Sequence, residues 1–161
     1  MKRAIPALAL LMSLAACVSF GDKPPASLMT LSATAQLPAG PARPLTGDNS
    51  IIIYPPTTAQ MLATDHVAVR TGDTSIAYLK DARWSDSPAR LFADLLSDTI
   101  AARTDRVVID RRQYALAPGA RLSGKLEAFE LLGGRGEVLV IYDAVLVTGE
   151  GKPPASRRFE A

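Results

Sequence analysis

The stretch RLSGKLEAFELLGGRGEVLVIYDAVLVT, residues 121–148, decides the fold of this chain. Two long runs rich in apolar residues, Arg121 to Leu132 and Glu137 to Thr148, flank the segment Gly133-Gly134-Arg135-Gly136. Glycine permits the positive φ angles that a tight reversal requires, so the stretch predicts a long antiparallel hairpin. The part from Glu137 to Tyr142 is apolar on both faces, which is typical of a central strand covered on each side.

Shorter strands are predicted on either side of this hairpin. Ile51-Ile52-Ile53-Tyr54 is a β-branched run that Pro55-Pro56 stops, because proline has no backbone N–H to continue a ladder. His66 to Arg70 and Ser75 to Leu79 predict a second hairpin, with its turn over residues 71–74. Two further strands are predicted over Arg106 to Asp110 and over Ser156 to Ala161.

One amphipathic helix is predicted to begin at Pro88, with Ser87 as its cap, and to end near Arg103-Thr104. Its apolar side recurs at three- and four-residue spacing, which is the period of a helix that packs on a sheet. The members of that side are Leu91, Phe92, Leu95, Leu96, Thr99 and Ile100. The fold class is therefore α/β, a mixed and mainly antiparallel β-sheet with one main amphipathic helix packed on it.

The N-terminus has the pattern of a secretory leader. Lys2 and Arg3 are followed by an apolar run from Ala4 to Leu14, which is far too short to span a bilayer. The run ends in Leu14-Ala15-Ala16-Cys17, which contains the only cysteine of the chain. This tetrad resembles the lipobox of bacterial lipoproteins. The resemblance implies that the peptide is cut before Cys17 and that this residue carries acyl chains such as palmitate.

The leader also divides the chain into three parts. Residues 1–16 are the expected signal peptide, and residues 17–49 are the lipidated cysteine with a Pro/Ala-rich tether that includes a short strand at Leu28-Met29-Thr30-Leu31. Residues 50–161 are the expected folded domain. Val18 follows the cysteine where an aspartate would retain an enterobacterial lipoprotein in the inner membrane. We therefore expect a periplasm-facing anchor in the bacterial outer membrane rather than in the inner one.

Charge argues against nucleic acid as a partner. The chain of 161 residues has 18 Lys and Arg against 16 Asp and Glu, and its excess of two comes from Lys2 and Arg3 in the leader. The mature part is thus formally neutral. It contains no Lys/Arg block of the kind that follows a phosphate backbone.

Catalytic, metal and cofactor motifs are missing from the sequence. His66 is the only histidine, and no Gly-x-Ser-x-Gly elbow accompanies it. The glycines at 133–136 lack the lysine and the following Ser or Thr of a phosphate loop. Asp94 and Asp98 lie one helical turn apart on the expected solvent face. We therefore predict a protein that is not an enzyme, without catalytic, cofactor or metal sites.

Two aromatic residues are candidate partner contacts. Trp84, the only tryptophan, stands just before the helix and either covers the helix entry as part of the core or anchors a partner, since tryptophan is enriched in binding hot spots. Tyr78, six residues earlier on the predicted hairpin, is the second candidate.

The order of these elements resembles the ABC-type transport auxiliary lipoprotein family over about residues 28 to 161. Members of that family have a lipobox, a strand that ends in prolines, a hairpin with an arginine near its end, and a tryptophan before an amphipathic helix. The matching positions here are 51–56, Leu62, 67–70, Tyr78, Trp84, Pro88, Leu91, Leu95 and Ile100.

Two departures from the family pattern accompany this resemblance. Leu28-Met29 stands where members often have paired tyrosines. The C-terminal helix usual in the family is not found in the sequence, which leads us to expect a C-terminally truncated domain.

The resemblance implies a non-catalytic docking subunit of an ABC-type, MCE-associated system that carries lipids between membranes. The implied partners are the membrane, through Cys17, and an MCE-domain protein, with a homo-oligomer as a further possibility. The alternative is a stand-alone periplasmic lipoprotein that binds lipid or serves envelope assembly.

Overall fold

The computed structural model describes residues 27–110, 112, 117–149 and 151–161, so Cys17 and the expected signal peptide lie outside the described residues. Eight strands form one mixed sheet, and one α-helix, α1 (Pro88–Arg103), and a 3₁₀ helix (Gln60–Leu62) complete the elements described. The strands are β1 (Ser50–Ile53), β2 (Thr57–Thr58), β3 (His66–Gly72), β4 (Ser75–Arg83), β5 (Val107–Val108), β6 (Ala120–Leu132), β7 (Glu137–Thr148) and β8 (Ala155–Glu160). Among the described residues, no helix has the length and apolar character needed to cross a membrane.

The predicted long hairpin is confirmed as β6 and β7. Its antiparallel register runs from Ala120 opposite Thr148 to Leu132 opposite Glu137, with one irregularity between Leu126 and Ala128. The turn places Gly134 at φ 80° and Gly136 at φ 67°, which is the left-handed region that favours glycine.

Strand β6 organises the rest of the sheet. One of its edges pairs with β7, and the other is shared by β1, β2 and β3, which lie parallel to it one after another. β5 extends the sheet beyond β1 in parallel, whereas β4 and β8 add antiparallel strands beyond β3 and β7. The long ladders are antiparallel and the short ones parallel, which confirms the predicted mixed, mainly antiparallel sheet.

Helix α1 has the predicted bounds. Its apolar side packs against one face of the sheet, here called the inner face, where the ring of Phe92 lies 5.0 Å from that of Tyr142 and 6.5 Å from that of Phe129. Ser87 occupies the N-cap position without a side-chain capping bond. Its carbonyl instead accepts the N–H groups of Arg90 and Leu91.

The inner face depends on a close approach between β6 and β7. The ring of Tyr142 lies over Gly124, where an added Cβ would stand 2.8 Å from the ring and 2.1 Å from the carbonyl oxygen of Asp143. Only a residue without a side chain fits there. This glycine therefore allows the aromatic residues of the inner face to pack.

Some strand predictions need correction. β7 does lie between β6 and β8, but it is not covered on both faces, since Leu139 and Ile141 on its outer face are only half-buried. The reason is that, in the part of the chain described, a single α-helix lies on the sheet. The predicted tether strand at residues 28–31 is reduced to one parallel bridge between Met29 and Trp84.

Other bounds differ in length. The second strand of the β3–β4 hairpin extends past Leu79 to Arg83, and the strand predicted over residues 106–110 is limited to Val107–Val108.

Candidate functional site: an apolar groove beside the helix

An apolar groove runs along the inner face between α1 and the strands β7 and β8. It consists of two neighbouring cavities of about 480 Å³ each, and both are lined by Phe92, Val140 and Ala161. One cavity extends towards Met29, Leu79, Trp84 and Val138, and the other towards Leu96, Ile100, Tyr142 and Phe159.

The rim of the groove is formed by large apolar side chains that remain exposed. Met29, Leu79, Val138 and Phe159 all line it, and Phe159 is 48% exposed. Contiguous exposed apolar surface of this kind marks a binding site more often than scattered single residues do. The groove is therefore the candidate site of this domain.

The sequence builds the groove from two patterns. Alternation along β7 directs Val140, Tyr142 and Ala144 to the inner face, and the helical period directs Phe92, Leu96 and Ile100 to its flank. Tyr142 forms part of the floor of the groove, and its hydroxyl donates a hydrogen bond to the carbonyl oxygen of Ser123 at 3.0 Å. Burial raises the pKa of the Tyr142 phenol.

The end of the segment predicted to be the tether lies at this groove. Met29 donates its N–H to the carbonyl oxygen of Arg83 at 2.8 Å and accepts the N–H of Ser85 at 2.8 Å, and Met29 and Leu31 both line the groove. Cys17 precedes Met29 by twelve residues, a stretch of chain that spans at most about 40 Å. A membrane anchor at Cys17 would thus keep the groove close to the bilayer.

Strand β8 forms one side of the groove, and an ion pair links it to β7. On the outer face of the sheet, Arg158 donates from Nε and Nη2 to the two carboxylate oxygens of Asp143, at 2.6 and 2.5 Å. These hydrogen bonds lower the pKa of Asp143 and raise that of Arg158. On the inner face, the guanidinium of Arg157 lies 4.9 Å from the ring centre of Phe159.

A second arginine–carboxylate pair, between Arg70 and Glu130, was missed by the sequence reasoning. The side chain of Glu130 is fully buried, and its Oε1 accepts from Nε of Arg70 at 2.7 Å and also from Nη2. Its Oε2 has no hydrogen-bond partner among the residues that the structure describes. The pair joins β3 to β6. Its signal in the sequence is a lone carboxylate inside the apolar run 128–132.

The two predicted contact residues lie in different environments. Trp84 is buried in the core, with its ring 5.3 Å from that of Phe129. Tyr78 is exposed; its hydroxyl donates to the carbonyl oxygen of Met61 at 3.2 Å, and its ring lies 5.2 Å from that of His66. Their roles as partner contacts remain predictions, as does lipidation of Cys17.

A smaller cavity of about 350 Å³ lies at the other flank of α1. Asp94 and Asp110 are among its lining residues, and desolvation, followed by the nearby charge of Asp98, raises the pKa of Asp94. Within the described ranges, no three His, Cys, Asp or Glu side chains come together in a way that could hold a metal ion.

Comparison with known proteins finds a matching family model and solved structures of similar fold. The model of the ABC-type transport auxiliary lipoprotein component family matches residues 30–161. The crystal structure of protein XCC0632 from Xanthomonas campestris, assigned to the DUF330 family model, is 15% identical with a TM-score of 0.62, over 84% of this chain and 76% of that one. The crystal structure of an uncharacterized protein is 16% identical with a TM-score of 0.62, over 74% of each chain. The similarity to these two structures shows the fold alone. In the comparison with curated proteins, none matches the chain.

Proposed function

Because the chain belongs to the ABC-type transport auxiliary lipoprotein family, we propose that it is the lipid-anchored auxiliary subunit of an MCE-associated system that moves lipids between membranes. The observation that carries this proposal is the family match, which extends over residues 30–161. The role is docking without catalysis. The partner is the MCE-domain protein of the transport system.

The groove supports the docking role. Its walls are apolar, its rim leaves Val138 and Phe159 exposed, and the tether enters beside it at Met29. Covering such side chains with a partner removes apolar surface from water, at roughly 25 cal/mol for each Å². We assign the groove to an apolar segment of the MCE-domain protein.

The partner is tested by crosslinking in intact envelopes, followed by purification of the full chain. Recovery of an MCE-domain protein, with the permease and the ATPase of an ABC system, is the expected result. Unrelated envelope proteins of similar abundance are the control. A preparation that contains such bystanders and lacks the MCE-domain protein would refute the assignment.

The anchor is tested separately, through Cys17. The lipobox supports acylation at this residue, and Val18 supports transfer to the outer membrane with the domain facing the periplasm. Cys17→Ser should move the chain from the membrane fraction to the soluble fraction, since two or more acyl chains are needed for lasting attachment. Density-gradient separation of the two membranes reports the location of the unaltered chain. Membrane attachment that survives the substitution would remove the anchor from the proposal.

A second candidate function is binding of a lipid acyl chain in the groove. The volume of the two neighbouring cavities, about 480 Å³ each, favours it, since cavities of this size accept small apolar ligands. Val140 and Ile141 are adjacent on β7 and half-buried, but only Val140 lines the groove. They therefore form a matched pair for photocrosslinking in cells that are labelled with ³²P-phosphate.

A benzoylphenylalanine at position 140 should capture ³²P-phospholipid, and one at position 141 should not. The diacylglyceryl group on Cys17 contains no phosphorus and does not contribute to the signal. Equal labelling at the two positions, or capture of protein alone, would exclude this second function.

A further inference from the structure

Along strand β8, the backbone N–H and C=O groups of successive residues point alternately towards β7 and towards the free edge of the sheet. Val140 and Ala161 exchange both of their main-chain hydrogen bonds, at 2.9 and 3.1 Å. In an antiparallel ladder such pairs alternate with pairs that are not hydrogen-bonded, so Phe159 and Ala161 direct their backbone groups to β7. Arg158 and Glu160 direct theirs away from β7. In the described part of the chain β7 is the strand that pairs with β8, and every residue of β8 is exposed.

We propose that this edge pairs with β8 of a second copy of the chain, antiparallel, about a two-fold axis at Phe159. In this register the outward N–H and C=O of Arg158 meet those of Glu160 in the other copy. The symmetry repeats the pairing, so the two edges satisfy each other's backbone groups. Pairing of this kind is the usual way in which an exposed strand edge recruits a partner.

The side chains select this register over its neighbours. With the axis at Phe159, each Arg158 stands opposite Glu160 of the other copy, and opposite charges across strands are stabilising. An axis at Arg157, Arg158 or Glu160 would place a charged residue opposite its own copy, which is destabilising. The bond from Arg158 to Asp143 already holds the guanidinium on the outer face, where Glu160 of the second copy would lie.

The same pairing uses the inner face. The two Phe159 rings meet at the axis, and aromatic pairs across strands add to the stability of the ladder. Because Phe159 lines the groove, the grooves of the two copies become neighbours. A short edge buries little surface, and a shared membrane raises the local concentration that such a pair needs.

The test is disulfide capture in intact envelopes, with single cysteines placed in the full chain. In the proposed register the Cα atoms of residue 159 in the two copies lie about 4.5 Å apart. The two thiols of the Phe159→Cys variant can therefore form a disulfide. Arg157→Cys is the matched control on the same face. In the proposed register its two copies lie about 14 Å apart along the strand and cannot be bridged.

The expected result is a covalent dimer from F159C and none from R157C. A thiol at position 157 faces position 161 of the other copy, so the double variant R157C/A161C should crosslink as well. A dimer from R158C or R157C alone, or none from F159C, overturns the proposal.

A charge reversal tests the ion pairs without altering the thiol. In the F159C background, Glu160→Arg should lower the dimer yield about three- to tenfold, because two attractive contacts become repulsive. Glu137→Arg, at the exposed start of β7, is the matched control and should leave the yield unchanged. An equal yield from both reversals contradicts the register.

Discussion

The β6–β7 hairpin and strand β8 belong to one sheet but differ in burial. Leu126 on β6 is fully buried and Tyr142 on β7 nearly so, whereas each residue of β8 is exposed. The hairpin therefore carries the fold. β8 and the groove beside it present apolar side chains and free backbone groups, which are the features that partners use.

The two regions also hold their neighbouring strands differently. Arg70 and Glu130 join β3 to β6 through a carboxylate that is fully buried, whereas Arg158 and Asp143 join β7 to β8 at the surface. A buried charge that loses its partner is strongly destabilising, whereas an exposed pair contributes little. Matched substitutions in the two pairs should separate structure from surface.

The largest expected effect is that of Arg70→Ala. The substitution leaves the carboxylate of Glu130 buried without its cation, so the free energy of unfolding should fall by about 3–5 kcal/mol. Urea denaturation of the full chain measures this. Arg158→Ala is the control and should change the unfolding midpoint only slightly. Equal losses from the two variants would mean that the two regions do not differ as described.

Loss of packing should show the same contrast. Leu126→Ala removes a fully buried side chain from the hairpin and should cost about 2–5 kcal/mol of unfolding free energy. Phe159→Ala changes an exposed side chain on β8 and should cost less than about 1 kcal/mol. Thermal unfolding of both variants checks the order, and a larger loss from Phe159→Ala would reverse it.

The close approach of β6 and β7 predicts a moderate effect. An alanine Cβ at Gly124 would collide with the ring of Tyr142 and with the backbone of Asp143, so Gly124→Ala should destabilise the domain by about 1–3 kcal/mol. Gly134→Ala, in the open turn, is a control for general glycine effects. Its cost comes from its positive φ, since no atom in the described part of the chain lies within 4 Å of the added Cβ. A variant G124A as stable as the unaltered chain would show that the two strands can separate without cost.

The smallest effect depends on pH. Arg158 lowers the pKa of Asp143 below its ordinary value of 3.8, so this contribution to stability is present above that value. It is lost as the pH falls through the lowered pKa. Asp143→Asn should therefore have a lower unfolding midpoint than the unaltered chain at pH 7, and the difference should vanish in acid. A difference that is constant with pH would exclude the ion pair as its cause.

Local sequence signals were sufficient for much of this fold. The glycines at 133–136 between two apolar runs located the long hairpin, and Ser87-Pro88 with the helical period located α1. The three parallel strands that share one edge of β6 could not be predicted, because such pairing is set by distant residues. Nor could the burial of Glu130, since a carboxylate is expected in water unless its partner, Arg70, is known to be near.

The groove, like the burial of Glu130, could not be predicted from the local sequence. The apolar pattern of β7 indicated burial on both faces, and the structure instead leaves Val138 exposed at the rim. Periodicity shows which side of a strand is apolar, but not whether another element covers it. The same apolar pattern is thus compatible with a buried core and with the exposed groove that we propose as a docking surface.

The central claim is that the groove meets the partner while the hairpin maintains the fold. Val138→Asp tests it most directly, because the aspartate is solvated in the free chain and would lose its water when a partner covers the groove. Ile76→Asp, on β4 outside the groove, is the matched control. We predict that both variants unfold at the temperature of the unaltered chain, and that only V138D recovers the MCE-domain protein at least about tenfold less well from crosslinked envelopes. Full recovery with V138D, or an equal loss with I76D, would contradict the account.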